Sequence, residues 1–289
     1  MFVISFVLCI KLVNRQSPSN LLMYLRWGLP FSVPIIFHGI SQVILSQFDR
    51  IMIRDINGDA AAGIYSFGYT IFSINVTFNS LDSVWTTWFY DKMNKGEKDT
   101  IHKYSSMYIL TILCLCIVVM LITPELVIVL GSHKYIDAQY CTIPIVASGF
   151  FVFLYTLPVS VEYYHEKTKS IAVATMIAAL VNIVLNYIFI NKYGYVAAAY
   201  TTLFTYILYF IFHYFLAKRI EGNYVFSNRI IVLSSGVLLL SMLLALFEIK
   251  RLIVRLVFIL LIILLYVLYE EKQMSIGKKI LGTIINRRS

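Results

Sequence analysis

Long apolar segments separated by short polar joints dominate the sequence. A helix that crosses a bilayer needs about 20 mostly apolar residues, because each residue adds about 1.5 Å across an apolar layer of about 30 Å. Eight segments reach this length, at residues 27–48, 62–89, 104–130, 140–161, 170–190, 195–216, 230–247 and 252–269. They lack the strict two-residue alternation of barrel strands. The pattern therefore predicts an all-α integral membrane protein, a polytopic bundle of about eight transmembrane helices.

The composition agrees with this prediction. Of the 289 residues, 60% are hydrophobic and only 13% are charged, whereas a soluble domain has about 25% charged residues. A disordered chain would have few aromatic residues, and this one has 21 Tyr and 20 Phe. No joint between the segments exceeds 13 residues, so we expect function to lie within the membrane.

Lysine and arginine are unevenly distributed over the joints. Alternate joints carry 17 of them on one side of the predicted membrane and 7 on the other. Because cytoplasmic loops are enriched in Lys and Arg, the first side is predicted to be cytoplasmic, together with the basic C-terminal tail. This topology accounts for most of the net charge of +9, and no nucleic acid partner is expected. The bilayer itself is the expected partner.

Polar residues form a stripe along the first segment. They recur at four-residue spacing and so share one helical face, at His38, Gln42 and Ser46, and then lead to Asp49 and Arg50. A charged side chain near the bilayer centre costs about 2.5–3.5 kcal/mol on insertion scales. The stripe is therefore expected to point inward or into water.

A second stripe runs along the next segment, where Asn75, Asn79 and Asp82 follow at helical spacing. Together with His38, Gln42, Asp49 and Arg50, these residues are the predicted lining of a cavity. Polar side chains also tie membrane helices together, and this packing interpretation stays open for the amides. It is equally open for the pair Asn182 and Asn186 on the fifth segment.

The remaining titratable residues suggest no catalytic centre. Glu125, Glu162 and Glu166 are expected at membrane interfaces, and His38 is taken as the one histidine clearly within a span, suited to proton relay or to packing. The four cysteines lie in apolar runs without metal-ligand spacing. Hydrolytic and phosphate-loop motifs are absent from the sequence. Neither enzymatic activity nor a metal or cofactor is expected.

Several ordered motifs resemble one family of membrane transporters. They are Gly28-Leu29-Pro30 at the start of the first span, Asp49-Arg50 at its end, Gly63-Ile64-Tyr65-Ser66, Asn182-Ile183-Val184-Leu185-Asn186-Tyr187, and Lys192-Tyr193-Gly194-Tyr195-Val196-Ala197-Ala198-Ala199. This set, over residues 25–216, resembles the polysaccharide repeat-unit flippases of the Wzx type in the MATE-like (MOP) exporter superfamily.

The resemblance implies a domain organisation. Residues 27–216 would form the six-helix C-terminal lobe of a two-lobe carrier, residues 217–269 two additional transmembrane helices, and residues 270–289 a basic cytoplasmic tail. Residues 1–26 would be the remnant of a preceding helix and a linker. Because an alternating-access carrier encloses its substrate between two lobes, a missing N-terminal lobe or a second copy is an expected partner.

The resemblance also implies a substrate, an undecaprenyl-diphosphate-linked oligosaccharide moved across the bacterial cytoplasmic (inner) membrane. Amide side chains would bind sugar hydroxyl groups, and Arg50 would bind the diphosphate. Asp82 or Asp49 would couple transport to H⁺ or Na⁺.

Three other functions stay open at this stage. A MATE-like multidrug exporter would share the fold but would have an acidic cavity. An O-antigen polymerase or ligase would have a long extracytoplasmic loop, which the short joints disfavour. A membrane scaffold without transport activity is the third.

Overall fold

The computed structural model describes residues 21–72, 76–222 and 225–286. These residues form nine α-helices and one short 3₁₀ turn, and they contain no strand. We number the helices α1 (Leu21–Asn57), α2 (Asp59–Phe72), α3 (Val76–Asn94), α4 (Lys98–Gly131), α5 (Ala138–Tyr164), α6 (Thr168–Tyr193), α7 (Val196–Glu221), α8 (Asn228–Phe247) and α9 (Leu252–Asn286). The predicted fold class, a polytopic membrane helix bundle, is confirmed.

Seven of these helices are long and apolar enough to cross a membrane: α1 from Gly28, α4 to α8, and α9 as far as Tyr269. The eighth predicted span, 62–89, contains residues outside the described part of the chain, with α2 before residues 73–75 and α3 after them. This span therefore stays a prediction.

Glycine residues end two of the helices. Gly194 and Gly222 end α6 and α7 with φ angles of +78° and +84°, a conformation that residues with a Cβ rarely adopt. Each glycine N–H donates to a carbonyl four residues back, at 2.9 Å. The predicted spans 27–48 and 252–269 lie within longer helices, whose described residues run from Leu21 to Asn57 in α1 and from Leu252 to Asn286 in α9.

The helix α5 lies at the centre of the bundle. It packs most extensively against α7 and also contacts α2, α4 and α8. Most of its residues are buried, including Phe150 and Leu154 at 0% exposure. α1 packs mainly against α6, and its outer surface exposes large apolar side chains such as Ile36 and Val43.

The two last helices lie at the edge of the bundle, and α9 is attached mainly to α4. Polar contacts of Arg255 and Tyr266 join α9 to α4. Arg255 donates to both carboxylate oxygens of Glu125, at 2.7 and 2.6 Å, and to the carbonyl of Leu121, and the hydroxyls of Thr111 and Tyr266 are 2.8 Å apart. From Leu256 to Leu268, α9 is largely exposed and apolar, as expected for a helix that faces lipid.

Candidate functional site

The polar stripe of α1 faces the bundle. The buried residues of α1 recur every fourth position, at Ser41, Leu45, Asp49 and Ile53, so they form one narrow line along the helix. His38 and Gln42 flank this line and are half-buried. Of the two orientations predicted for the stripe, the structure therefore selects the inward one.

His38 and Gln42 each form a hydrogen bond to another helix. His38 Nδ1 lies 2.7 Å from the hydroxyl of Thr175 on α6, and Gln42 donates from Nε2 to the Tyr155 hydroxyl on α5 at 2.9 Å. Thr175 is also 2.7 Å from the hydroxyl of Tyr209 on α7. The stripe is thus part of a polar network that joins α1, α5, α6 and α7.

A buried acid–base pair lies next to this network. His213 on α7 donates from Nδ1 to Glu162 Oε1 on α5, and both side chains are 0% exposed. The Ser170 hydroxyl donates to the second carboxylate oxygen at 3.1 Å. The His213 ring lies 4.5 Å from the Tyr209 ring, in an edge-on arrangement, which brings the pair against the Thr175–Tyr209 contact.

This pair adds to one sequence-based prediction and corrects another. Glu162, expected at a membrane interface, lies two residues before the end of α5 but is enclosed by protein, between Ser170 of α6 and His213 of α7. His38 is not the one histidine within a span, because His213 lies inside α7. The sequence does contain a signal for His213: Thr202, Thr205, Tyr209 and His213 follow at three- and four-residue spacing, which places them on one face of α7.

Asp49 and Arg50 lie near the other end of α1. Asp49 is 0% exposed, and the Tyr65 hydroxyl of α2 donates to it at 2.6 Å. The Arg50 guanidinium lies over the Tyr69 ring at 4.4 Å, a cation–π distance, and also donates to Gln47. Arg50 is therefore held by its neighbours in this structure, and its predicted role toward a diphosphate stays a prediction.

The second predicted stripe falls outside the described residues. Asn75 lies in the segment 73–75, and the side chains of Asn79 and Asp82 on α3 are likewise not described. Their predicted cavity role, and the coupling role of Asp82, stay predictions.

The amide pair of α6 has a packing role in this structure. Asn182 and Asn186 are 1% and 0% exposed. Asn186 donates to Asn182 at 3.0 Å, Thr201 of α7 donates to Asn186, and Asn182 donates to Thr202 of α7 at 3.3 Å. Of the two interpretations left open, the contacts favour a polar tie between α6 and α7.

A group of ion pairs joins helix ends on the predicted cytoplasmic side. Glu221, the last residue of α7, accepts from Lys98 at 2.5 Å and also pairs with His165. On α3, the hydrogen bond from Lys95 lowers the pKa of Asp91. Exposed pairs of this kind contribute little to stability, so we assign them to helix ends and not to chemistry.

The arrangement offers polar groups but no metal cluster. Within the described residues, no three His, Cys, Asp or Glu side chains lie close enough together to hold a metal ion. The cysteines there, Cys114, Cys116 and Cys141, are free, and Cys9 lies outside the described residues. What the network does provide is a series of hydrogen-bonding groups enclosed by apolar helices. They include His38 of α1 and the titratable pair Glu162–His213 of α5 and α7.

Comparison with known proteins gives relatives and a fold. No family model matches the chain. Two proteins of Haemophilus influenzae are similar to this chain. An "Uncharacterized membrane protein" is 28% identical over 159 residues, which cover 53% of this chain and 38% of that protein. The "Lsg locus putative protein 1" is 25% identical over 158 residues, which cover 53% of this chain and 39% of that protein. The matched region thus spans less than half the length of these relatives.

The structural comparison agrees with the sequence resemblance at the level of the fold. A MOP superfamily transporter from Pyrococcus furiosus superposes with a TM-score of 0.56 at 21% identity, over 75% of this chain and 52% of that chain. At this identity the likeness concerns the fold alone. The chain is therefore a multi-pass membrane protein whose helix bundle has the fold of a MOP superfamily transporter.

Proposed function

We propose that this chain is one lobe of a lipid-linked oligosaccharide flippase of the bacterial cytoplasmic membrane, working by alternating access, with its C-terminus in the cytoplasm. Its substrate would be an undecaprenyl-diphosphate-linked repeat unit of a surface polysaccharide. The family resemblance of residues 25–216 suggests this substrate, and the MOP-type fold is compatible with it.

The observation that carries the proposal is the surface of α1. Only one line of this helix is buried in the bundle, and the polar residues His38 and Gln42 lie directly beside it. The opposite surface exposes Ile36 and Val43, at 60% and 61%. A second lobe and the substrate lipid are the natural neighbours of such a surface, because a two-lobe carrier encloses its substrate where the lobes meet.

Movement of α1 relative to α5–α7 would be the conformational step. The bonds of His38 and Gln42 to Thr175 and Tyr155 join α1 to the other helices in this state. Breaking them would expose polar groups that can bind sugar hydroxyls. Net proton or sodium coupling through Asp49 or Asp82 is part of the proposal.

The test is complementation in a bacterium that lacks its own repeat-unit flippase. Expression of the chain, alone and together with an N-terminal lobe, should restore surface polysaccharide and reduce the pool of lipid-linked oligosaccharide facing the cytoplasm. The variant Gln42→Leu should lower export at unchanged membrane abundance. Drug resistance without restored polysaccharide would instead indicate a multidrug exporter, and equal loss of export and abundance in Gln42→Leu would indicate packing only.

A further inference from the structure

A polar cleft of about 580 Å³ lies between the start of α1 and the turn that joins α5 to α6. α1 contributes Arg26, Pro30 and Phe31, and residues 166–170 form the opposite wall. Its volume is within the range of small-molecule sites, about 300–1,000 Å³. The cleft lies on the predicted cytoplasmic side, about 36 Å along α1 from Arg50. One of its lining residues, Ser170, also donates to Glu162 of the buried pair described above.

The cleft has an excess of positive charge. Arg26, Lys167 and Lys169 line it, with Glu166 as the one carboxylate among its lining residues. None of the ion pairs within the described part of the chain involves any of these four residues. Their charges are therefore not neutralised by one another, and the cleft carries a net positive charge.

Thr168 supplies a second, independent indication of a ligand. Its side chain is only 2% exposed and lines the cleft, yet its hydroxyl has no hydrogen-bond partner among the described residues. Because Thr168 is the first residue of α6, it lacks the helical carbonyl four residues earlier that accepts from a mid-helix threonine such as Thr123. Its hydroxyl is therefore available to an acceptor that enters the cleft.

The backbone at the start of α6 also favours an anion in the cleft. Thr168 begins α6, whose N-cap residue Lys167 makes no side-chain capping bond. The first N–H groups of a helix and the positive end of its dipole favour an anion. Two lysines, an arginine, a hydroxyl and a helix start thus converge on one cleft, a donor set that matches phosphate oxygens.

An apolar surface continues from the cleft along α1. Leu25, Leu29 and Val33 follow at four-residue spacing and are 46%, 52% and 41% exposed, so they form one stripe that leads away from Arg26. A free phosphate ion would have no use for this stripe. The tail of a lipid would lie along it while its headgroup occupied the cleft.

We propose that this cleft binds the phosphate or diphosphate headgroup of a lipid at the cytoplasmic face, with the lipid tail along Leu25, Leu29 and Val33. The identification of that lipid as the transported one rests on the proposed function. The cleft would then be where the substrate first docks, before it reaches the polar stripe of α1.

The test measures binding of two probes to the full chain in phosphatidylcholine nanodiscs by isothermal titration calorimetry. The probes are inorganic diphosphate and a short-chain isoprenyl diphosphate. Thr168→Val should weaken isoprenyl diphosphate binding about tenfold, because it removes one hydrogen bond to a charged group. The double variant Lys167→Gln, Lys169→Gln should weaken it at least as much and reduce its salt dependence.

Matched variants control for folding and for general charge. Thr123→Val removes a buried hydroxyl elsewhere in the bundle, and Lys103→Gln removes a cation from the same predicted side, outside the cleft. Both should leave binding unchanged. Tighter binding of the isoprenyl probe than of inorganic diphosphate, lost in the cleft variants alone, supports the proposal.

Two results would overturn it. Equal affinity for both probes would refute the lipid-tail groove, and binding that is absent, or unaffected by the cleft variants, would refute the headgroup site. Failure of the flippase proposal is a different result: export would not be restored while the cleft still bound the probe.

Discussion

Removing one partner of the buried pair Glu162–His213 should destabilise the bundle far more than removing one partner of a surface pair of the same residue types. Both side chains are 0% exposed, so replacing either by leucine leaves the other buried without its partner. We expect Glu162→Leu and His213→Leu each to lower the free energy of unfolding by about 3–5 kcal/mol. The double variant should lose less than the sum, with a coupling energy of about 2–3 kcal/mol.

The chain contains a matched control in Glu221 and His165. This pair joins the same residue types, but its side chains are 12% and 33% exposed. Water screens it, and its coupling energy should be only about 0.2–1 kcal/mol. Both double-mutant cycles are to be measured by denaturation of the purified chain in mixed micelles, followed by tryptophan fluorescence. If the two coupling energies were equal, burial would not be what strengthens the Glu162–His213 contact, and the reasoning would fail.

Two further predictions concern helix contacts. Gly68→Ala should destabilise the bundle by about 1–3 kcal/mol, because an added Cβ would lie 2.8 Å from Thr142 Oγ1. Gly63→Ala should be neutral or slightly stabilising, because its Cβ meets nothing within 4 Å. Thermal unfolding in detergent measures the stability of both variants, and an equal loss of stability in the two would contradict the contact at Gly68. Arg255→Met should lower the free energy of unfolding by about 1–3 kcal/mol, less than for a fully enclosed pair because Glu125 is 40% exposed. A double-mutant cycle of these two residues that gave no coupling would show that α9 does not depend on this bond.

The helices of this protein could be predicted because the bilayer limits what an apolar segment can do. In lipid every backbone polar group needs an internal partner, so a run of about 20 apolar residues such as 170–190 has to be helical. The segment 62–89 stays a prediction, because residues 73–75 within it lie outside the described residues. Its first half is apolar and its second half polar, so hydropathy indicates a span there less clearly than at 170–190.

The polar contacts could be predicted from the sequence only in part. Helical periodicity alone placed His38 and Gln42 on one face of α1, because a shared face depends on local spacing. Their partners could not be found in this way, since Thr175 lies 137 positions beyond His38. The burial of Glu162 was missed for a related reason: its partner His213 lies 51 positions further along the chain.

The separation between Glu162 and His213 also has a consequence for biosynthesis. The two residues are 51 positions apart, so at about 5–20 residues per second His213 is synthesised roughly 3–10 s after Glu162. During that interval α5 has no histidine for its carboxyl, and an uncompensated charge is unfavourable in lipid. The contact between α5 and α7 at the centre of the bundle therefore forms only after α7 has been synthesised, so this part of the bundle is completed after α6 and not in step with α5.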